Sequence, residues 1–170
     1  LAKQRDDDAI EEQCELARAF PYKELVKVGA VAPTMKCVER VRELCRFFGV
    51  VSLRQISQVA DYAPAFRAGR GRTSPEHLAA WLRFVTLQAQ RVETREFDRN
   101  RLVDLIVELR ELTLQPPERF LPPLKTRLAE SGVAFVLCQH FPQTYVHGAT
   151  FWMTSSKAVT ALTIRGSWAD

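Results

Sequence analysis

The residues of this chain with chemistry to offer are three histidines, four cysteines, a Ser-Ser-Lys triplet and a run of arginines between glycines. A zinc site needs three or four His, Cys or carboxylate ligands at spacings such as HExxH or paired CxxC. His77 falls in the first turn of a predicted helix, and His140 and His147 flank a predicted loop. They could supply two ligands to a metal completed from outside, and no complete site can be written. GxSxG, P-loop and GxGxxG patterns are missing from the 170 residues. Ser155-Ser156-Lys157 reads as a hairpin turn, and Asp104 and Glu108, one helical turn apart, as a solvated helix face. The residues therefore give no catalytic set and no metal set for this chain, and no cofactor.

Cys14, Cys37, Cys45 and Cys138 form no CxxC pair, and the expectation is four reduced, small core residues in a cytoplasmic protein. The net charge of +4 is unevenly spread. Residues 1–24 hold four basic and seven acidic residues, and residues 36–110 hold fourteen basic and nine acidic. A basic middle suits nucleic acid or an acidic partner. The candidate contacts are Arg67, Arg70 and Arg72, in a Gly-containing loop over 61–74, with Arg83 beyond it. The competing account is compositional: 18 of the 24 basic residues are Arg, as GC-rich coding produces.

These residues must be positioned by elements of two kinds. Apolar spacing predicts a helix over 7–20, with Asp6-Asp7-Asp8 at its N-terminal dipole, and a short one from Tyr22 to Val28 closed by Gly29. Thr34 is placed to cap a helix from Met35 to Phe48, with Val38, Val41, Cys45 and Phe48 buried and Gly49 at its end. Ser52-Leu53-Arg54-Gln55 is a capping box for a short helix through Ala60. Ser74-Pro75-Glu76 starts a long helix to about Glu96, carrying Leu78, Trp81, Leu82, Val85, Ala89 and Val92 on its apolar side. Asp98 caps a helix over 99–112, with Leu102, Leu105, Ile106, Leu109 and Leu112 inward, and these two helices are expected to form a hairpin. Pro116-Pro117-Glu118 opens a further helix that Pro122-Pro123 should kink or split and Ser131-Gly132 should close.

The period then changes. Val133 to Cys138 reads as a buried strand, and 149–154 and 158–164 as a hairpin about Ser155-Ser156-Lys157. The expected fold is α+β: a mostly helical region over about 7–131, then a small three-stranded sheet over about 133–164. With 46% hydrophobic residues the chain can bury a core, and its longest apolar run, 133–138, is far too short to cross a membrane. The start at Leu1 without Met and the ending Gly166-Ser167-Trp168-Ala169-Asp170 both read as cut ends.

Several stretches resemble the ImmA/IrrE family, in which an XRE-type helix-turn-helix precedes a zinc-metallopeptidase domain. Leu112-Thr113, Pro117-Glu118-Arg119-Phe120-Leu121-Pro122, Leu124, Ala129 through Leu137 and Gly148-Ala149-Thr150-Phe151-Trp152 are similar to the approach to that domain. Ala161-Leu162-Thr163-Ile164-Arg165 resembles the strand just before its zinc helix. Phe20-Pro21-Tyr22-Lys23-Glu24-Leu25, Arg46-Phe47-Phe48-Gly49-Val50 and Ala79-Ala80-Trp81-Leu82-Arg83 are similar to the linker between the two parts. The likeness runs from about residue 15 to the end through scattered apolar, Pro and Gly positions.

The resemblance implies a linker region over 1–73, then, over 74–170, a helical hairpin and the N-terminal part of a peptidase-like domain. It implies a bacterial transcription regulator or toxin–antitoxin component. The partners would be the rest of its own chain, a second copy, a toxin or other protein, and DNA through a preceding head, with no membrane. HExxH and the later acidic ligand of the family are missing from these residues, so zinc would belong to the parent protein. Beside such a zinc helix a sheet edge docks extended peptide. By resemblance the docking strands carry Thr150, Trp152, Thr160 and Leu162, while inward side chains build the core. The rival readings are a stand-alone helical interaction or dimerisation module, and a nucleic-acid contact through the Arg67–Arg72 loop.

Overall fold

Prolines, glycines and capping side chains punctuate the chain, and most helix boundaries follow them. The structure is a computed structural model that describes residues 2–58, 65–68, 73–112 and 114–164. Its order is α1 (Ala2–Arg18), α2 (Tyr22–Lys27), α3 (Cys37–Phe48), α4 (Arg54–Gln58), β1 (Ala65–Ala68), α5 (Pro75–Gln90), α6 (Arg99–Leu112), α7 (Pro117–Glu130), β2 (Val133–Gln139), β3 (Val146–Thr154) and β4 (Lys157–Ile164). The fold is α+β. A fourth strand, β1, lies inside the segment expected to be a loop over 61–74, and the sheet order is β1-β3-β4-β2. The chain divides into two compact units. One holds α1 to α4, the first part of α5 to Phe84, and 139–146; the other holds 85–138 and 147 onward, with residues 64–67.

In the first unit α1 begins at Ala2, earlier than the acidic cluster suggested, and no acidic residue stands in its first turn. Good helix formers at 2–5 extend it. It packs on α3, and Cys14 and Cys37 form a disulfide between them, with 5.6 Å between the Cα atoms. The expectation of four reduced thiols is thus corrected: Cys45 and Cys138 stand outside any disulfide, half-buried and buried. The N-cap of α3 is Lys36, not Thr34. The Thr34 hydroxyl instead accepts the Lys36 N–H (3.2 Å) and donates to Glu39 (2.5 Å).

The buried stripe of α3 is rotated from the expected one. Leu44 and Phe47 are buried, whereas Val38 is exposed. Arg40 sits half-buried beside this stripe because its Nε donates to the Thr34 carbonyl (3.0 Å) and its guanidinium lies over the Tyr22 ring (5.3 Å). A charged residue on the inner edge disguised the periodicity. Gly49 adopts the left-handed conformation (φ 73°) that ends α3. The capping box before α4 forms: Gln55 Oε1 accepts the Ser52 N–H (3.3 Å). The expected end of α4 at Ala60 lies outside the described residues.

In the second unit α5 stops at Gln90, short of the expected Glu96. Tertiary hydrogen bonds take over the chain there: Arg95 N–H donates to Ala129 O (3.0 Å), Phe97 N–H to Ser156 O (2.8 Å) and Asp98 N–H to Ser131 O (3.2 Å). The close helix pair is α6 with α7, in place of the expected pairing of α5 with α6. Leu105, Leu124, Leu128, Val133, Phe135 and Ala158 make one apolar cluster, with Leu102 and Leu109 against it. Ile106 is turned outward and half-exposed, against expectation. α7 runs through Pro122 and Pro123 as one helix. The carbonyls those prolines leave unpaired belong to Glu118 and Arg119, exposed positions that water can satisfy. β3 and β4 pair antiparallel through a two-residue turn, with Thr150 opposite Thr160 and Gly148 opposite Leu162.

Candidate functional site

Alternation along a strand puts Thr150 and Trp152 on one face of β3, and pairing puts Thr160 and Leu162 on the same face of β4. α6 and α7 cover that face over β2 and the start of β4, where Ala158 joins the apolar cluster. Beyond them the face is bare: Trp152 is 58% and Leu162 45% exposed. One edge of the Trp152 indole is held by Phe97, whose ring packs on it nearly perpendicular with centroids 4.7 Å apart. The sequence-predicted docking residues are therefore gathered on one surface. It carries an aromatic ring, a leucine and two hydroxyls, and no titratable group among these four, so it suits binding and not proton transfer.

The strand order sharpens the main-chain side of this site. β3 and β4 are interior, and the edge strands are β1 and β2. β1 has four residues against nine in β3, so it pairs with at most part of that strand. The expectation that 149–154 and 158–164 supply the sheet edge is corrected accordingly: both strands are interior, with β1 beside β3 and β2 beside β4. No sequence signal marked this, because Ala65-Phe66-Arg67-Ala68 is short and set among Gly and Pro.

Of the nucleic-acid candidates, Arg67 lies in β1, and Arg70 and Arg72 lie outside the described residues. Arg83 is half-buried, and its Nε donates to the Phe47 carbonyl (2.9 Å) in the last turn of α3. A cation there neutralises the negative end of a helix dipole. That role accounts for Arg83 without any nucleic acid.

His77 Nδ1 lies 2.6 Å from the Pro142 carbonyl, so that nitrogen carries the proton and donates. His147 is exposed and His140 half-buried. Among the described residues no group of three or more His, Cys, Asp or Glu is placed to hold a metal. Among the described residues, two open clefts lie in the second unit. The larger, about 530 Å³, is lined among others by Glu93, Arg95, Glu96, Ser156 and Lys157. Its Lys157 ammonium is already bonded to the Val92 carbonyl (2.5 Å). The smaller, about 260 Å³, lies among Arg95, Arg101, Asp104, Glu108 and Arg127. Arg101 pairs there with Asp98, and Arg127 with Glu108.

Burial raises the Tyr22 hydroxyl pKa, with the Arg40 guanidinium opposing it. The Thr34 hydroxyl, and then Lys36, hold the Glu39 carboxyl below its usual range. Burial pushes the Cys45 thiol up. No described helix is long and apolar enough to cross a membrane. No family model, curated protein or solved structure matches the chain.

Proposed function

We propose that this chain is the linker and pre-catalytic half of an ImmA/IrrE-type regulator, a cytoplasmic bacterial protein whose zinc helix would follow β4 in the parent. The observation that carries the reading is the half-covered sheet. α6 and α7 close one end of a face on which Trp152 and Leu162 stay exposed, at positions that resemble the approach to the family's zinc helix. In this role the chain positions partners and does no chemistry itself. The Thr150, Trp152, Thr160 and Leu162 face would receive the rest of the domain or an extended peptide. A DNA-binding head before α1 and a toxin or other protein partner belong to the same proposal. The test is the parent coding sequence past Asp170, followed by zinc analysis of the full-length protein. An HExxH within about twenty residues, with one zinc bound per chain, supports the reading; its lack ends it.

A second reading, a helical dimerisation module, is favoured by α6. Val103, Ile106 and Val107 form an exposed apolar stripe on its outer side. Light scattering of the chain separates the two: concentration-dependent dimers abolished by Val107→Glu favour the module, and a strict monomer removes it.

A further inference from the structure

The structure joins Cys14 of α1 to Cys37, the first residue of α3, and leaves the other two cysteines apart. A cytoplasmic protein seldom keeps a static disulfide, and those that form there usually cycle. We propose that Cys14 and Cys37 are a reversible thiol–disulfide latch that fixes α1 on α3, operated by small thiols of the glutathione class. This goes beyond the functional reading above and takes from it only the cytoplasmic setting.

Three observations support the latch. First, both cysteines are only half-buried, so a small thiol can reach them. Second, the competing thiols are guarded: Cys138 is buried within β2, and Cys45 is half-buried with its thiol held protonated by that burial. Exchange therefore has one open pair. Third, the described burial of α1 sits near its C-terminal end. Ile10 is 47% exposed, and the described core residue of the helix is Ala17 near its C-terminal end. Beside its packing on α3, described ties of α1 are the Gln13 amide, which accepts from Leu53 N–H (2.9 Å) and donates to Ser52 Oγ (3.0 Å), and the exposed Glu12–Arg54 ion pair. Exposed ion pairs contribute little. Opening the disulfide removes a covalent tie between residues 23 apart in sequence.

The step balances. A glutathione thiolate attacks one cysteine sulfur, the S–S bond breaks, and the other cysteine leaves as a thiolate that takes a proton. A second glutathione thiolate attacks the glutathione sulfur of the mixed disulfide, releasing the remaining cysteine and glutathione disulfide. Two electrons and two protons pass to the protein, and glutathione disulfide reverses the sequence.

The test equilibrates the 170-residue chain with glutathione disulfide or with excess glutathione. Acid quenching, denaturation and iodoacetamide then count the free thiols, and hydrogen exchange reads α1. The expected result is label on Cys45 and Cys138 alone after oxidation, and on all four cysteines after reduction. Exchange in residues 9–18 should rise on the order of tenfold or more on reduction and return on re-oxidation. Cys14→Ser and Cys37→Ser should each exchange as the reduced protein does in both buffers. Four labelled cysteines after oxidation, a disulfide that links two chains, or α1 exchange equal in both redox states overturns the proposal. Should a variant fail to fold, the wild-type comparison decides alone.

Discussion

Gly132 lies so close to the main chain of Phe97 that a Cβ built on it would stand 2.2 Å from the Phe97 Cα. It is also the residue that ends α7, with φ at 81°. Two demands meet at this position, a left-handed backbone and a close approach, and only glycine satisfies both. Gly132→Ala is expected to cost more than about 3 kcal/mol, since backbone and not a flexible side chain blocks the new methyl. Urea unfolding measures it. A variant as stable as the parent would mean that Phe97 is not seated against the helix end.

Asp98 governs the start of α6. Its Oδ1 accepts the N–H groups of Asn100 (2.9 Å) and Arg101 (3.2 Å), two donors that the first helical turn cannot satisfy itself. Asp98→Ala should lose about 1 kcal/mol in denaturant unfolding, and Asp98→Asn, which keeps an acceptor oxygen, clearly less. Equal losses for the two would assign the effect to charge rather than to capping.

Glu39 provides a pH-dependent contribution. The Thr34 hydroxyl and Lys36 favour its ionised form, so its folded pKa lies below the unfolded one. Stability from this source is present above the unfolded carboxylate value and is lost as pH falls through the folded one. Thr34→Ala removes the larger cause and should move the carboxyl titration of Glu39, followed by NMR, upward toward the ordinary value. An unchanged titration would show that the hydroxyl does not bond to Glu39 in solution.

The elements whose local signals agree with their surroundings were legible in the sequence. Gly49, Asp98, Ser74-Pro75 and Gly132 end or begin helices where the residue types require it, and the β3–β4 hairpin follows its period and turn. The misreadings arose where distant contacts decided. The α3 stripe was obscured by Arg40, whose polar head is satisfied by Thr34 and Tyr22. The end of α5 was set by carbonyls of Ala129, Ser131 and Ser156, far along the chain. The Cys14–Cys37 pairing is likewise a tertiary fact, since spacing alone does not say which helices meet. The strands that carry Trp152 and Leu162 were legible from their period, whereas β1 beside β3 had no sequence mark beyond four residues among turn formers.

Lys157 ties the hairpin to the segment that follows α5. Its ammonium donates to the Val92 carbonyl (2.5 Å), two residues past the end of α5, and the side chain is half-buried there. Removing the charge while keeping the aliphatic stem isolates this bond from packing. Lys157→Met should therefore destabilise by about 1–2 kcal/mol, the scale of a charge-assisted bond whose acceptor is left partly buried. The effect should be local as well, with faster hydrogen exchange at Phe97, whose N–H is bonded to Ser156 next to the mutated residue. Lys157→Arg, which restores a cation at similar reach, should recover most of the loss. A methionine variant with parental stability and unchanged exchange at Phe97 would show that the hairpin is anchored by its apolar contacts alone.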